Sequence, residues 1–210
     1  MNSTKRNFDK EAAAWDERPQ RVKLAGDIAD AIIREVQPTN RMNALDFGCG
    51  TGLLTFRLQP LVRTIIGTDS SQGMLDVFNA KIAAAELDNV CSMFCDSAKN
   101  DALQGKYHLI VSSMTLHHVR EVGPLLATLH KALLAGGTLC LADLDLEGGA
   151  FHEDNTGVFH QGFDRAALQT TLHEAGFSEV RNLTAAEIVK PAGDGITRSF
   201  SVFLMIAKKA

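Results

Sequence analysis

The sequence predicts an α/β fold: a doubly wound sheet of seven strands, mostly parallel, with helices on both faces and an antiparallel C-terminal hairpin. Three observations predict it. Apolar runs of strand length, several rich in β-branched residues, alternate with amphipathic stretches of helix length, as in a sheet built from strand–helix–strand units. The first strand runs into glycines at alternate positions, Gly48, Gly50 and Gly52, and a helical pattern follows at once. The last two strands are joined only by Pro191-Ala192-Gly193-Asp194-Gly195, too short for a crossover helix, so they run antiparallel.

In chain order, residues 7–16 suit a short helix with Phe8, Ala12 and Trp15 along one side, interrupted at Pro19. A second helix over 20–36 carries Val22, Ala25, Ile28, Ala29, Ile32 and Ile33 on one face and stops before Pro38. Ala44, Leu45 and Phe47 form a buried parallel strand ahead of the glycines. Residues 62–68 are the second strand, ending at Asp69. Residues 71–85 are a helix with Met74, Leu75 and Phe78 inward. Residues 89–94 are a third strand ending in Cys95-Asp96-Ser97; 107–112 a fourth; 119–134 a helix; 137–143 a fifth strand. Residues 146–163, rich in Gly, His and acids, form a loop over the sheet end. A helix over 164–175, closed by Gly176, precedes the strands at 178–187 and 199–207.

The 210 residues, 45% of them hydrophobic, suffice for the core of one domain spanning 1–210. A net charge of −4 and a pI near 6.0 argue against nucleic acid as an obligatory partner. No apolar run reaches membrane-spanning length, and the charged start, Met1 to Lys10, has no hydrophobic segment behind it. The expectation is a cytoplasmic protein without a membrane partner. Cys49, Cys91, Cys95 and Cys140 fall in or beside predicted strands and read as reduced core thiols; Cys91 and Cys95 have no companion cluster that completes a zinc site.

Strand, glycine turn and helix bring backbone N–H groups against a ligand at a sheet end, and glycine allows positive φ and close approach. The spacing selects the ligand. A dinucleotide fingerprint needs Gly-x-Gly-x-x-Gly, but Leu53 stands where its third glycine belongs. Asp46, two residues before Gly48, would repel a pyrophosphate and attract an ammonium. With Asp69 seventeen residues after Gly52, the pattern Asp-x-Gly-x-Gly-x-Gly … Asp resembles the class I methyltransferases that depend on S-adenosylmethionine (SAM), in their small-molecule branch that includes the UbiE group.

The resemblance runs from about Phe8 to Lys208. It implies that Gly48, Cys49, Gly50 and Gly52 lie along the methionine part of SAM, with Asp46 near its ammonium. Asp69 then accepts hydrogen bonds from both ribose hydroxyls, Ser70 and Met74 flank the adenosine, and Asp96 with Ser97 meets the adenine. Ser112 belongs to the fourth strand, whose end lies beside the transferred methyl in the family. The Asn/Asp-Pro-Pro-aromatic motif of base-amine methylases is missing there, which counts against methylation of nucleic-acid amines and leaves the acceptor open; the resemblance implies a small-molecule acceptor, with S-adenosylhomocysteine as product. His117 and His118, just past this strand, and His160 on the 146–163 loop are the candidate catalytic bases. His152 and His160 with Glu153 and Asp154 suggest a metal set, but the acids expected at strand ends are unmatched, so the reading is a polar loop and no metal. Phe8 and Trp15 would make residues 1–38 a lid over SAM, with Arg18 and Arg21 beside it. The chain is expected to be a monomer or homodimer. The alternatives are an NAD-dependent oxidoreductase, which the glycine spacing disfavours, an aminopropyl transferase, for which the fourth strand lacks an acidic motif, and a SAM-binding protein without activity.

Overall fold

The computed structural model describes residues 6–96, 103–192 and 195–210. Seven strands are present among them: β1 (Asn43–Phe47), β2 (Thr64–Asp69), β3 (Val90–Phe94), β4 (Tyr107–Ser113), β5 (Leu133–Leu144), β6 (Phe177–Pro191) and β7 (Thr197–Lys209). The helices are α1 (Pro19–Val36), α2 (Leu53–Leu58), α3 (Gln72–Ala84), α4 (Val122–Ala132) and α5 (Arg165–Glu174). Strand order is β3-β2-β1-β4-β5-β7-β6, with β7 antiparallel to both β5 and β6. The sheet is the one expected. The order reverses beside β1, so the crevice outside its carboxyl end is where such sheets hold ligands.

Neighbouring residues along the central strands go to opposite faces, as the two-residue period of a strand requires. Ala44, Leu109, Val111, Cys140, Leu204 and Ile206 face one core, with Ile28 and Ile32 of α1 and Phe78 of α3. Leu45, Ile110, Leu139, Leu141, Phe203 and Met205 face the other, with Leu126 and Leu129 of α4 and Leu168 and Leu172 of α5. Both faces are therefore covered, which is why these strands read as continuous apolar runs.

Three local expectations need correcting. Residues 7–16 do not form one helix but two 3₁₀ turns, Phe8–Lys10 and Ala12–Glu17, broken at Glu11. A ten-residue helix is marginal alone, and here Asp9 and Glu11 are committed to partners outside it. The helix expected over 119–134 begins only at Val122, after a 3₁₀ turn at Leu116–His118, and ends at Ala132. Pro124 explains the late start, since in a helix begun at Val119 its ring would clash with the Arg120 carbonyl. At the other end Leu133 turns extended to pair with Tyr107 across a register shift in the β4–β5 ladder. Finally, Cys91 is exposed on the edge strand β3, whereas Cys49, Cys95 and Cys140 are buried.

Candidate active site

The turn after β1 is shaped by what surrounds each glycine. All three have positive φ, 75° at Gly48, 53° at Gly50 and 87° at Gly52. A Cβ on Gly48 would lie 2.3 Å from Thr115 Oγ1, and one on Gly52 would lie 2.4 Å from the Phe78 ring. Those two glycines let the turn pack on β4's exit and on α3. Gly50 differs: nothing stands within 4 Å of a Cβ built there. The backbone N–H groups of Gly48 and Cys49 both donate to the Thr68 carbonyl, at 2.8 and 2.9 Å, tying the turn to β2.

Two carboxylates flank it. Asp69, at the end of β2, accepts the Gly50 N–H at 2.8 Å on one oxygen and the Ser71 N–H at 2.9 Å on the other, bonds that orient the group across the turn. Asp46 is fully buried in β1 and accepts the Thr55 hydroxyl at 2.6 Å. Burial pushes its acid up to about 7, a rise to which the nearby Asp69 charge adds and which the Thr55 bond opposes. Such a carboxyl is a poor host for an anion and a good one for a cation.

Residues 6–18 cross this crevice as a strap. Asp9 Oδ1 accepts from the Ser71 hydroxyl at 2.6 Å and from the Gly73 N–H at 2.8 Å, fastening the strap to the start of α3. Asp16 accepts the Thr51 hydroxyl at 2.5 Å and pairs with Lys81 at 2.7 Å, and Lys81 also donates to the Thr51 carbonyl. Glu11 holds Arg6 and Arg21 at 2.9 and 3.2 Å. Trp15 is half-buried, edge-on to Phe8 at 5.9 Å and under the Arg21 guanidinium at 3.5 Å. Phe8 in turn meets the ring of His118 at 5.1 Å.

Past β4 the histidines gather. His117 is buried, and its Nδ1 lies 2.7 Å from Asp143 Oδ1 at the end of β5, while its backbone N–H donates to Oδ2. That carboxylate makes Nδ1 the protonated nitrogen and leaves Nε2 with its lone pair. His118 Nδ1 donates to the Gly157 carbonyl at 2.8 Å. His152, from the 146–163 loop, stacks 5.0 Å from His117 and 5.8 Å from His118. Burial, with His117 adding to it, pushes His118 down to about 4 and His152 down to about 3, so both are neutral at pH 7.

Comparison with known proteins bears on this arrangement. Residues 44–137 match a family profile described as a methyltransferase domain. An uncharacterised methyltransferase of Schizosaccharomyces pombe is 32% identical over 144 residues, covering 65% of this chain and 49% of that protein. A ubiquinone biosynthesis O-methyltransferase of Bartonella tribocorum is 31% identical over 52% of this chain and 44% of its own. The chain thus spans about half the length of the curated relatives it matches. A SAM-dependent methyltransferase of Aquifex aeolicus superposes with a TM-score of 0.71 at 18% identity, over 96% of this chain and 98% of that one. These comparisons support a methyltransferase domain over residues 44–137, on a fold shared with SAM-dependent methyltransferases.

In the structure the glycine turn, Asp46 and Asp69 lie together, with Ser70 and Met74 directly after Asp69 and at the first turn of α3. Met74 is buried, yet belongs to neither sheet core. Asp96 is buried at the end of β3; Ser97 lies outside the described residues. Two of the candidate residues also make local bonds. The Ser112 hydroxyl donates to the Phe47 carbonyl at 2.7 Å, stitching β4 to β1, and Cys49 is buried with its thiol on the Gly50 carbonyl at 3.5 Å. His160 stands outside the histidine group, its Nε2 2.9 Å from the Val119 carbonyl and its ring against Phe163. His152, which the sequence reading left in a polar loop beside His160, Glu153 and Asp154, lies with His117 and His118. Sequence reasoning missed Asp9, Asp16, Thr55, Lys81 and Asp143. Only Asp143 left a signal, an acid inside an otherwise apolar strand.

Proposed function

We propose that this chain binds SAM in the crevice beneath the strap and transfers its methyl group to a small-molecule acceptor that meets His117 and His118. The reading is carried by one observation: Asp69 bonds the N–H of Gly50, whose Cβ side is open, and a second acid, Asp46 on the adjacent strand, lies near enough for the two charges to interact. This set suits a ligand that is cationic at one end and offers vicinal hydroxyls at the other, and it opposes a diphosphate. SAM meets that description, and when bound it supplies a methyl group already activated by a positive sulfur.

The work left to the protein is alignment and dryness. Asp69, its plane set by two backbone N–H groups, orients the ribose by accepting two hydroxyl hydrogens. Asp46 balances the ammonium. The strap, pinned by Asp9 and Asp16, excludes water from above. On the acceptor side, His117 Nε2 takes the proton of an acceptor hydroxyl or thiol, and Asp143 stabilises the imidazolium that results.

Titration calorimetry with SAM tests the reading. Binding in the micromolar range is expected, with Asp69→Ala weakening it by roughly 100-fold, as loss of a charge-assisted bidentate acceptor costs about 3 kcal/mol. Tight NAD binding with no SAM binding would overturn it. Conversion of SAM to S-adenosylhomocysteine across a panel of small hydroxyl, thiol and amine acceptors then separates an enzyme from a silent SAM-binding protein.

A further inference from the structure

We propose that His117, His118 and His152 form a three-histidine site for a divalent transition-metal ion of the zinc class, where β4 and β5 end. One ring nitrogen of each lies within 4.8 Å of the others. The outer nitrogens identify which ones face inward. His117 Nδ1 is held by Asp143 and His118 Nδ1 by the Gly157 carbonyl, so both present Nε2. His152 Nε2 is buried and, among the described residues, has no hydrogen-bond partner. Leaving a buried polar atom unpaired is unfavourable, and a common ion would satisfy all three nitrogens at once.

A plain stack of aromatic rings would explain the ring separations of 4.2, 5.0 and 5.8 Å. It would not explain the orphaned Nε2, nor why the other two rings are each anchored through their far nitrogen. Anchoring by a carboxylate and by a backbone carbonyl is the outer shell that metal-bound histidines carry. Zinc–nitrogen bonds of about 2.0–2.1 Å put tetrahedral neighbours about 3.4 Å apart, so small ring rotations close the set. Three nitrogen donors without a carboxylate suit zinc, cobalt or nickel and not magnesium or calcium, which take oxygen.

Three protein ligands leave one tetrahedral position for a further group. With the ion bound, His117 Nε2 is a ligand and no longer a base. An acceptor hydroxyl or thiol in the fourth position then gives its proton to water, keeping the electron pair on a heteroatom whose charge the ion stabilises. This role rests on the methyltransferase reading; ion binding rests on the histidines alone.

The test uses the full chain, stripped with a chelator and titrated with Zn²⁺ in the absence of SAM. One ion per chain, at micromolar affinity or tighter, is expected. Co²⁺ should give visible tetrahedral bands without the near-ultraviolet thiolate band that cysteine ligation produces. His152→Ala, a change in the loop, should weaken Zn²⁺ by at least about 100-fold, and Asp143→Asn by about 10–100-fold; metal-free thermal unfolding checks that each variant is folded. Unchanged Zn²⁺ affinity in a folded His152→Ala, a thiolate band with Co²⁺, or no binding by the parent chain would each overturn the site. A SAM titration on the same preparation keeps the two readings apart, because either ligand can bind without the other.

Discussion

At the scale of single residues, Asp46 carries the sharpest consequence. An ordinary aspartate has its acid at 3.8, and burial holds this one at about 7 in the folded chain. A folded-state value raised above the unfolded one means stability that is full below pH 3.8, falls as pH rises to about 7, and is flat beyond. The fall is on the order of 4 kcal/mol at most. Urea unfolding across that range should show the loss, and Asp46→Asn should flatten it; an unchanged slope in the variant would place the pH dependence elsewhere. An ammonium beside Asp46 restores the ionised form, so SAM should bind more tightly as pH rises from 6 to 8 in the parent chain and not in Asp46→Asn. The glycines divide in the same way. Gly52→Ala brings a Cβ against the Phe78 ring at a φ of 87°, so it should lower stability by at least about 1–3 kcal/mol. Gly50→Ala meets no neighbour, so its loss should be limited to the left-handed backbone cost of about 1–2 kcal/mol, while SAM binding falls sharply. Glycines and acids were legible because turn and strand end are adjacent in sequence. His152 and Asp143 were not, because they reach His117 from 35 and 26 residues away and nothing local announces the meeting.

At the scale of elements, the strap is where local propensity yields to tertiary partners. Phe8, Ala12 and Trp15 suggested an amphipathic helix, and residues 8–17 instead form two 3₁₀ turns whose acids point down to Ser71, Gly73, Thr51 and Lys81. No periodicity in residues 7–16 could have shown those partners, since the nearest is some 35 residues on. The Asp16 and Lys81 side chains are 33% and 31% exposed, so solvent screening limits their pair to less than about 1 kcal/mol. Asp16→Ala should therefore leave the unfolding temperature nearly unchanged and act on motion instead. Trp15 is the only tryptophan, so its fluorescence reports the strap without interference. In Asp16→Ala acrylamide should quench that fluorescence more strongly, and SAM should dissociate several-fold faster. Equal quenching in the two chains would mean that Asp9 and Phe8 hold the strap without Asp16.

At the scale of the whole molecule, strand number, alternation and the antiparallel end were readable because each follows from chain segments in sequence order. The lateral order is a different matter. That β7 inserts between β5 and β6 is set by long-range packing, in which Val202, Leu204 and Ile206 join the core under α1 while Phe203 and Met205 join the one under α4 and α5. Five consecutive buried residues thus serve two cores. The matched methyltransferase region, residues 44–137, contains the whole glycine turn and both flanking acids but stops partway through β5 and lacks β7. Its β4 residues would lose much of their apolar cover on each face, and β4, without its partners Thr138 to Ala142, would become an open edge. A fragment of residues 44–137 should therefore show no cooperative unfolding and no SAM binding, although it carries every residue proposed to meet the cofactor from Asp46 to Asp96. The complementary deletion of residues 1–17 removes only the strap and should keep a cooperative transition with weakened SAM binding. A fragment that unfolded cooperatively would show that the antiparallel hairpin finishes the sheet without holding residues 44–137 together.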